Sequence, residues 1–271
     1  MANASYLLGT HSAELERLRF QHQLWRPMAE AAWRKAGVAA GQRILDVGAG
    51  PGFAAVDLAQ LVGTSGRVLG LELSHTYVKQ AQREASGLPQ LEMRQHDLHH
   101  DPWPSEHFDL IWCRWVAMFL RNLDPLLAGL AQCSQPGSQV LFHEYVHWDT
   151  FGLYPHGAAI TRFGQACQAS FVQAGGDPDV NRRLPTLLSE RGWRIKGLQP
   201  LPVAGNAASM AGRWMQRFVQ TYSTRLLELE LWTTNDQAEA EAELAEAANN
   251  EGSFWVGPTV LEVWAERRQT S

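Results

Sequence analysis

No stretch of the 271-residue sequence approaches the ~20 consecutive apolar residues of a membrane-spanning helix, so no membrane partner is expected. The opening MANASYLLGTHSAELERL lacks a basic segment leading into an apolar one, so no secretory signal is expected there. Cysteine is scarce: Cys113, Cys133 and Cys167 are odd in number and widely spaced, and none has a Cys or His close by at zinc spacing. They read as reduced residues of a cytoplasmic protein rather than as a disulfide framework. Positive charge is also short. Lys and Arg number 23 against 28 Asp and Glu, a net charge of -5, which argues against nucleic acid as a partner. There is no internal repeat, and no G-x-S-x-G of a serine-hydrolase elbow. Tyr is rare beside Trp, 5 against 11, and that many indoles point to wide apolar walls, as around a ligand. Apolar residues make up 45% and charged residues 19%, enough to bury a sizeable core.

Apolar residues recur at near-helical spacing over 12–36, with glycines 37 and 41 ending the run. Beyond it, short apolar runs alternate with helical patterns. A buried strand running into a tight glycine turn is expected at 43–52, further strands at 67–74, 91–98, 108–115 and 138–145, and helices at 54–63, 75–87 and 116–137. That alternation predicts parallel βαβ units in a doubly wound sheet. After Tyr145 the regularity breaks. A helix is expected over 158–174, another over 184–192, a strand over 193–203, helical pattern over 207–251, and a final strand at 256–268 near the sheet edge. At ~150 residues per domain the chain carries about a hundred residues more than one lean domain needs.

The sharpest motif is Asp46-Val47-Gly48-Ala49-Gly50-Pro51-Gly52. Glycine permits positive φ and lets a ligand approach the backbone, and the following helix turns its N-terminal N–H groups toward an anionic group. The spacing is G-x-G-x-G, not the G-x-G-x-x-G of dinucleotide sites. Glu72 falls at the end of the second strand, where a carboxylate can accept from both ribose hydroxyls. Asp97 ends the third strand, where it could meet an exocyclic adenine amine. Each acid alone reads more readily as an exposed strand-end residue; in phase with the glycine loop they point to an adenosine-bearing cofactor. The run HDLHHDPWPSEH (96–107) is rich in metal-capable residues, but Asp97 already has a place and two prolines constrain the loop, so no metal is expected.

With ILDVGAGPG, the acids of VLGLELS and RQHDL, and the segment FDLIWCRWVAMFL, the chain resembles the class I S-adenosylmethionine-dependent methyltransferases, clearly so over about 40–145. Its ending GPTVLEVWAERR fits that family's last strand, and the opening YLLGTHSAELERLRFQHQLWRP looks like a leader of bacterial small-molecule members. The resemblance implies a Rossmann-like, doubly wound, seven-stranded, mostly parallel sheet with an antiparallel last strand, plus a helical cap. It implies S-adenosylmethionine as cofactor. Asp46, Gly48, Gly50 and Gly52 would hold its methionine part, Glu72 the ribose and Asp97 the adenine amine. Leu73 and Leu98 would sandwich the ring, and the backbone of Arg114 would meet the amino-acid end. Tyr6 and Gln21 of the leader are further candidates for contact with cofactor or substrate.

The reaction implied is in-line transfer of a methyl group, which rests on positioning and exclusion of water. A general base is needed only if the acceptor must first lose a proton. Candidates follow the fifth strand: His143, Glu144, Tyr145 and His147, which read equally as a polar loop. The surplus residues are expected as an N-terminal leader, 1–42, and as insertions at about 146–183 and 206–254 in a methyltransferase domain spanning 43–271. Rich in aromatics, they would cap the carboxyl edge of the sheet over a small, partly apolar or aromatic substrate, or else pack on one another or on a second subunit of a homodimer. The acids Glu239, Glu241, Glu243 and Glu246 read as a solvated helix face. Two other functions remain open at this point: an NAD-dependent Rossmann oxidoreductase, and a non-catalytic S-adenosylmethionine-binding sensor.

Overall fold

A computed structural model describes residues 12–155 and 157–269. Strands β1 (Arg43–Val47), β2 (Arg67–Glu72), β3 (Leu91–Gln95), β4 (Leu110–Arg114), β5 (Gln139–His147), β7 (Trp193–Leu201) and β10 (Thr259–Arg267) form one seven-stranded sheet. Its order is β3-β2-β1-β4-β5-β10-β7. The first five strands pair in parallel, while β10 runs antiparallel to both β5 and β7. The runs in β1, β2 and β4 are apolar without alternation because both faces of these strands are covered. Alternate residues divide between two cores. Ile44, Val68, Trp112 and Leu141 pack with Trp33 of helix α1 (Ser12–Lys35) and with α2 (Phe53–Val62). Leu45, Leu69, Ile111 and Phe142 face the other way.

That second core does not stop at the sheet. It continues through Trp148, Phe151 and Leu153 into helices α5 (Ala158–Gln173), α7 (Met210–Glu228) and α8 (Thr234–Asn249). A three-stranded antiparallel sheet, β6 (Gly152–Tyr154), β9 (Phe254–Val256) and β8 (Ala204–Gly205), ties the inserted segments together in the order β6-β9-β8. Its strands have two or three residues, too few to show a period in the sequence. The aromatic side chains pack edge to face, as Trp148 does on Phe171 (83°) and Phe163 on Trp232 (82°).

Two expectations need correction. The helix expected over 116–137 is one 3-10 turn at Ala117–Phe119 and then α4 (Asp124–Gln132). Glu144 takes the N–H groups of Val116 and Ala117 at the start of that turn, the turn ends at Leu120, and the chain restarts where Asn122 accepts from the N–H of Asp124. The last strand lies near the sheet edge, as expected, with β7 outside it. Its Glu262 is buried because Lys35 and His143 both bond to it. Finally, the acidic face of α8 is not simply solvated. Glu239 pairs with Arg162, and Glu243 accepts the N–H groups of Ala159 (2.8 Å) and Ile160 (3.0 Å) at the start of α5.

A carboxylate bound to the first amides of a helix satisfies donors that have no partner within the helix and complements its dipole. Glu243→Ala is expected to lower the unfolding free energy by about 1–2 kcal/mol, with Glu243→Gln losing less, as denaturant titration would show.

Candidate functional site

Strand order reverses between β1 and β4: the chain leaves β1 toward β2 and leaves β4 toward β5. Such a switch point opens a crevice at the carboxyl ends of the two strands. The glycine loop lies there. Gly48 has φ +66, and a Cβ on it would stand 2.2 Å from Val116 Cγ2; a Cβ on Gly52 (φ +85) would stand 2.6 Å from that of Ala81. These two are required by close packing as much as by conformation. Gly50 differs. It has φ +55 and nothing within 4 Å of where a Cβ would be, so it faces open space. Gly52 caps α2, which begins at Phe53, so Pro51 precedes the cap rather than opening the helix.

A cleft of about 1030 Å³, its mouth included, starts at Asp46, Gly48, Gly50 and Pro51. It runs past Arg114 and Trp115 and ends among Met118, Tyr145, Trp148, Phe151, Phe171, Trp214 and Phe218. Arg17, Gln21 and His22 of α1 form one wall. The Oε1 of Gln21 accepts from Arg17 (2.8 Å) and from the indole N–H of Trp214 (2.9 Å), which binds α1 to α7 over the cleft. The sequence singled out Gln21; Tyr6 lies outside the described residues.

The adenosine-side candidates form a separate group at the edge. Glu72 is buried and accepts from the N–H of Gly50 (2.9 Å) and of Ser74 (2.7 Å), so it also holds the loop. Burial raises its pKa, and those amide donors oppose the rise. Leu73 is exposed beside it. Asp97 is spent partly on its own turn, accepting from the N–H of His99 (2.8 Å) and from His100 Nδ1 (3.0 Å). Burial works against its charge, but these donors leave its pKa below the ordinary carboxyl value. Leu98 is half-buried against the core. None of these four lines the cleft itself, which encloses the glycine-loop end only. His96, from the metal-capable run, packs its ring edge to face on Trp103.

Arg114 is held from several sides. Its Nη2 lies 3.1 Å from His22 Nδ1, and its guanidinium sits over Trp115 and Trp112 at 5.1 and 5.7 Å. His22 Nε2 in turn lies 2.9 Å from Asp57 of α2, which also pairs with Arg26 at 3.1 Å. Burial lowers the pKa of His22 and pulls that of Arg114 down to about 10, so Arg114 stays charged at neutral pH. Asp46 is 2% exposed, and its Oδ2 has no hydrogen-bond partner; burial, opposed by Arg114, pushes its pKa up to about 7. Sequence reasoning missed the part played by His22 and Asp57. The one signal was Asp57 itself, a charge within the otherwise apolar run AAVDLA.

The four base candidates are scattered. Only Tyr145 lines the cleft, its ring stacked on Trp115 at 5.8 Å. His143 is fully buried in the sheet, bonded to Glu262 (3.1 Å) and packed on Trp112. His147 is exposed at the end of β5. Glu144 is fully buried, with its Oε1 accepting from the N–H groups of Val116 (2.7 Å) and Ala117 (2.9 Å). It therefore fixes the turn in which Trp115 takes φ 53, a conformation non-glycine residues rarely adopt. Burial raises the Glu144 pKa to about 8. His143, Glu144 and His147 thus do not meet in the cleft: two are engaged in structure and one faces solvent.

Glu144→Ala is expected to cost about 2–4 kcal/mol, because two buried amides lose their acceptor and a cavity forms; Glu144→Gln, which keeps the acceptor, should cost less than half of that in denaturant unfolding. For Asp46, the pKa of about 7 in the folded chain lies above its value of 3.8 when exposed, so its ionisation destabilises the free protein as pH rises between those values. Asp46→Asn is expected to raise the melting temperature at pH 8 by several degrees, with the gain vanishing near pH 4, as calorimetry at both pH values would show.

Comparison with known proteins bears on this arrangement. Residues 45–142 match the family model described as a methyltransferase domain. The ubiquinone/menaquinone biosynthesis C-methyltransferase of Pseudomonas putida is 30% identical over 132 residues, 46% of this chain and 48% of that protein. The demethylmenaquinone methyltransferase of Desulfitobacterium hafniense is 26% identical, over 51% of this chain and 58% of that protein. The chain thus spans about half the length of the curated relatives it matches. Among solved structures, the geranyl diphosphate C-methyltransferase of Streptomyces coelicolor, in complex with S-adenosyl-L-homocysteine, superposes with a TM-score of 0.58. That match is at 18% identity over 96% of this chain and 86% of the other. The YcgJ protein of Bacillus subtilis also superposes at 0.58, with 16% identity over 89% and 98%. At such identities the superpositions establish the fold. With the matched domain, the sheet order and the glycine loop in agreement, residues 45–142 are similar to the methyltransferase domain family, on the fold of the class I S-adenosylmethionine-dependent methyltransferases.

Proposed function

We propose that the protein transfers the methyl group of S-adenosylmethionine to a small, partly apolar or aromatic molecule in the cytoplasm. The observation that carries this reading is the continuity of one cleft, from the glycine loop into a chamber walled by Trp, Phe, Tyr and Met side chains. The cofactor's residues fit: Gly50 leaves open space where a side chain would stand, and the Glu72 carboxylate is fixed beside it by two amides and keeps lone pairs for hydroxyl donors. When bound, the cofactor supplies a methyl group on a positively charged sulfur. The chain contributes position and dryness. Helices α1 and α7, locked through Gln21 and Trp214, cover the cleft and keep water from the transfer.

Among the described residues the chamber presents no free carboxylate or imidazole as a base: His22 is bound on both ring nitrogens, and Asp46 lies at the glycine-loop end. Tyr145 is the residue we place against the acceptor, as a donor or orienting hydroxyl, since burial raises its pKa above the ordinary phenol value. Such a chamber suits an acceptor that attacks without first losing a proton to the protein. The name of the Pseudomonas relative, a C-methyltransferase of ubiquinone and menaquinone biosynthesis, supports an apolar acceptor. Three buried free thiols support the cytoplasmic placement.

Incubation with methyl-labelled S-adenosylmethionine and a cell metabolite extract is expected to place label in an organic-extractable small molecule. Phe218→Ala, which opens the chamber, is expected to reduce product formation at least tenfold while calorimetric binding of S-adenosylhomocysteine persists. Cofactor binding with no labelled product in any extract would favour a sensor. Binding of NAD without S-adenosylhomocysteine would overturn the reading.

A further inference from the structure

A charged side chain stands among the aromatic ones that wall the cleft, and it is paired. Arg17 of α1 is 4% exposed, with its guanidinium 5.6 Å from the ring centre of Phe218. It grips the Glu14 carboxylate through Nε and Nη2, both at 2.7 Å, and donates from Nη1 to Gln21 Oε1 at 2.8 Å. A buried ion pair is often no more stabilising than apolar side chains of the same size, so stability alone does not account for one here. What the pair does achieve is to orient Gln21. The Oε1 of that amide takes two donors, Arg17 and the indole N–H of Trp214 at 2.9 Å. Two donors at one end of an amide fix which end is oxygen, because the turned amide would set N–H against N–H. The Nε2 end, with its two hydrogens, has no acceptor among the described residues. The Tyr145 hydroxyl has no hydrogen-bond partner among them either, and burial keeps it protonated at neutral pH. Gln21 and Tyr145 both line the cleft.

We propose that the Gln21 amide and the Tyr145 hydroxyl form a donor pair for one oxygen of the methyl acceptor, and that the acceptor is an apolar ring compound whose oxygen is a carbonyl or an oxyanion. A phenol can give or take a hydrogen bond, but amide N–H groups only give, so the pair selects an oxygen that accepts. Glu14, Arg17 and Trp214 are positioning residues that hold the amide in that orientation. The charge of Arg17 reaches further, since it opposes the rise that burial causes in the pKa of Tyr145, and so it also favours negative charge on an oxygen bound there. The inference rests on the methyl-transfer reading above and narrows its substrate class. A merely apolar chamber would disfavour such an oxygen, because taking a carbonyl out of water without a donor is costly. A site built to bond the oxygen instead rejects the analogue that lacks it.

The test uses the intact protein saturated with S-adenosylhomocysteine and two probes of similar size, 1-indanone and indane, which differ by the carbonyl oxygen. Calorimetry is expected to show 1-indanone bound about fivefold to tenfold more tightly, whereas a merely apolar chamber would favour indane. Gln21→Glu keeps an acceptor for Arg17 and Trp214, and so keeps α1 tied to α7, but it removes the amide hydrogens. It is expected to abolish the preference for the ketone while affinity for indane stays within about threefold. Tyr145→Phe is expected to weaken 1-indanone and leave indane unchanged. Titration of bound 2-naphthol, whose fluorescence separates naphthol from naphtholate, distinguishes the two kinds of oxygen. A naphthol pKa lowered on binding assigns the oxyanion, and an unchanged one assigns the carbonyl. Equal binding of 1-indanone and indane, a preference for indane, or binding of neither overturns the donor pair. A preference that survives in both variants also overturns it, as do equal losses of both probes, which packing damage would produce. If the protein does not bind S-adenosylhomocysteine, the methyl-transfer reading itself has failed, and the donor pair falls with it.

Discussion

The site depends on one constraint, the divergence of two neighbouring strands. β1 and β4 lie side by side, and the chain leaves them in opposite directions, so no connection crosses the gap at their carboxyl ends. The loops that leave must then be held open. After β1 this falls to glycines, of which Gly48 and Gly52 fit so closely that any side chain would collide with Val116 or Ala81. After β4 it falls to Glu144, which anchors two amides and holds Trp115 in a left-handed conformation. The two devices touch, because the valine that Gly48 makes room for is one of the residues Glu144 anchors. The crevice is therefore defined by one glycine and one buried carboxylate acting on the same short segment.

The core strands were legible in the sequence because a buried parallel strand is a dense apolar run, and β1, β2 and β4 are of that kind. The glycine loop and Glu72 were legible because their positions are set by local chain geometry within one βαβ unit. What the sequence concealed were groups joined across long separations. His22 and Asp57 lie 35 residues apart, His143 and Glu262 119, and Gln21 and Trp214 193. No local pattern marks such a partner. His143 and Glu144 looked like candidate bases because they are polar residues at a strand end. They are polar because each has an acceptor or donor to satisfy inside the core.

The tryptophan excess shows the same division. Trp25, Trp33, Trp193 and Trp255 are fully buried with their N–H groups unbonded, against the expectation that a buried indole finds a partner. Two of them meet other rings edge to face, as Trp33 does on Trp112 and Trp25 on Trp115 and Trp214. These indoles are packing. Trp115, Trp148 and Trp214, by contrast, line the cleft, and the N–H of Trp214 is used to bind α1. Composition signalled an apolar chamber, but which indoles build it depends on where the inserted helices return to the sheet.

This has a consequence for how specificity is distributed over the chain. The glycine-loop end of the cleft is made by the sheet and by α1, whose His22 and Gln21 reach into it from adjacent positions on one helix. The far end is made by α1, α5 and α7 and the turn after β5, and its side chains belong to a core continuous with the sheet. A change in what the far end admits therefore requires substitutions that leave that shared core packed, since a close-packed interior tolerates volume change poorly. Trp148 and Phe171 hold sheet and cap together, Gln21 ties α1 to α7, and Tyr145 belongs to the same core, so each wall residue also has a packing or bonding role. What the far end of the cleft admits is then set by side chains that also keep the helices placed over the crevice.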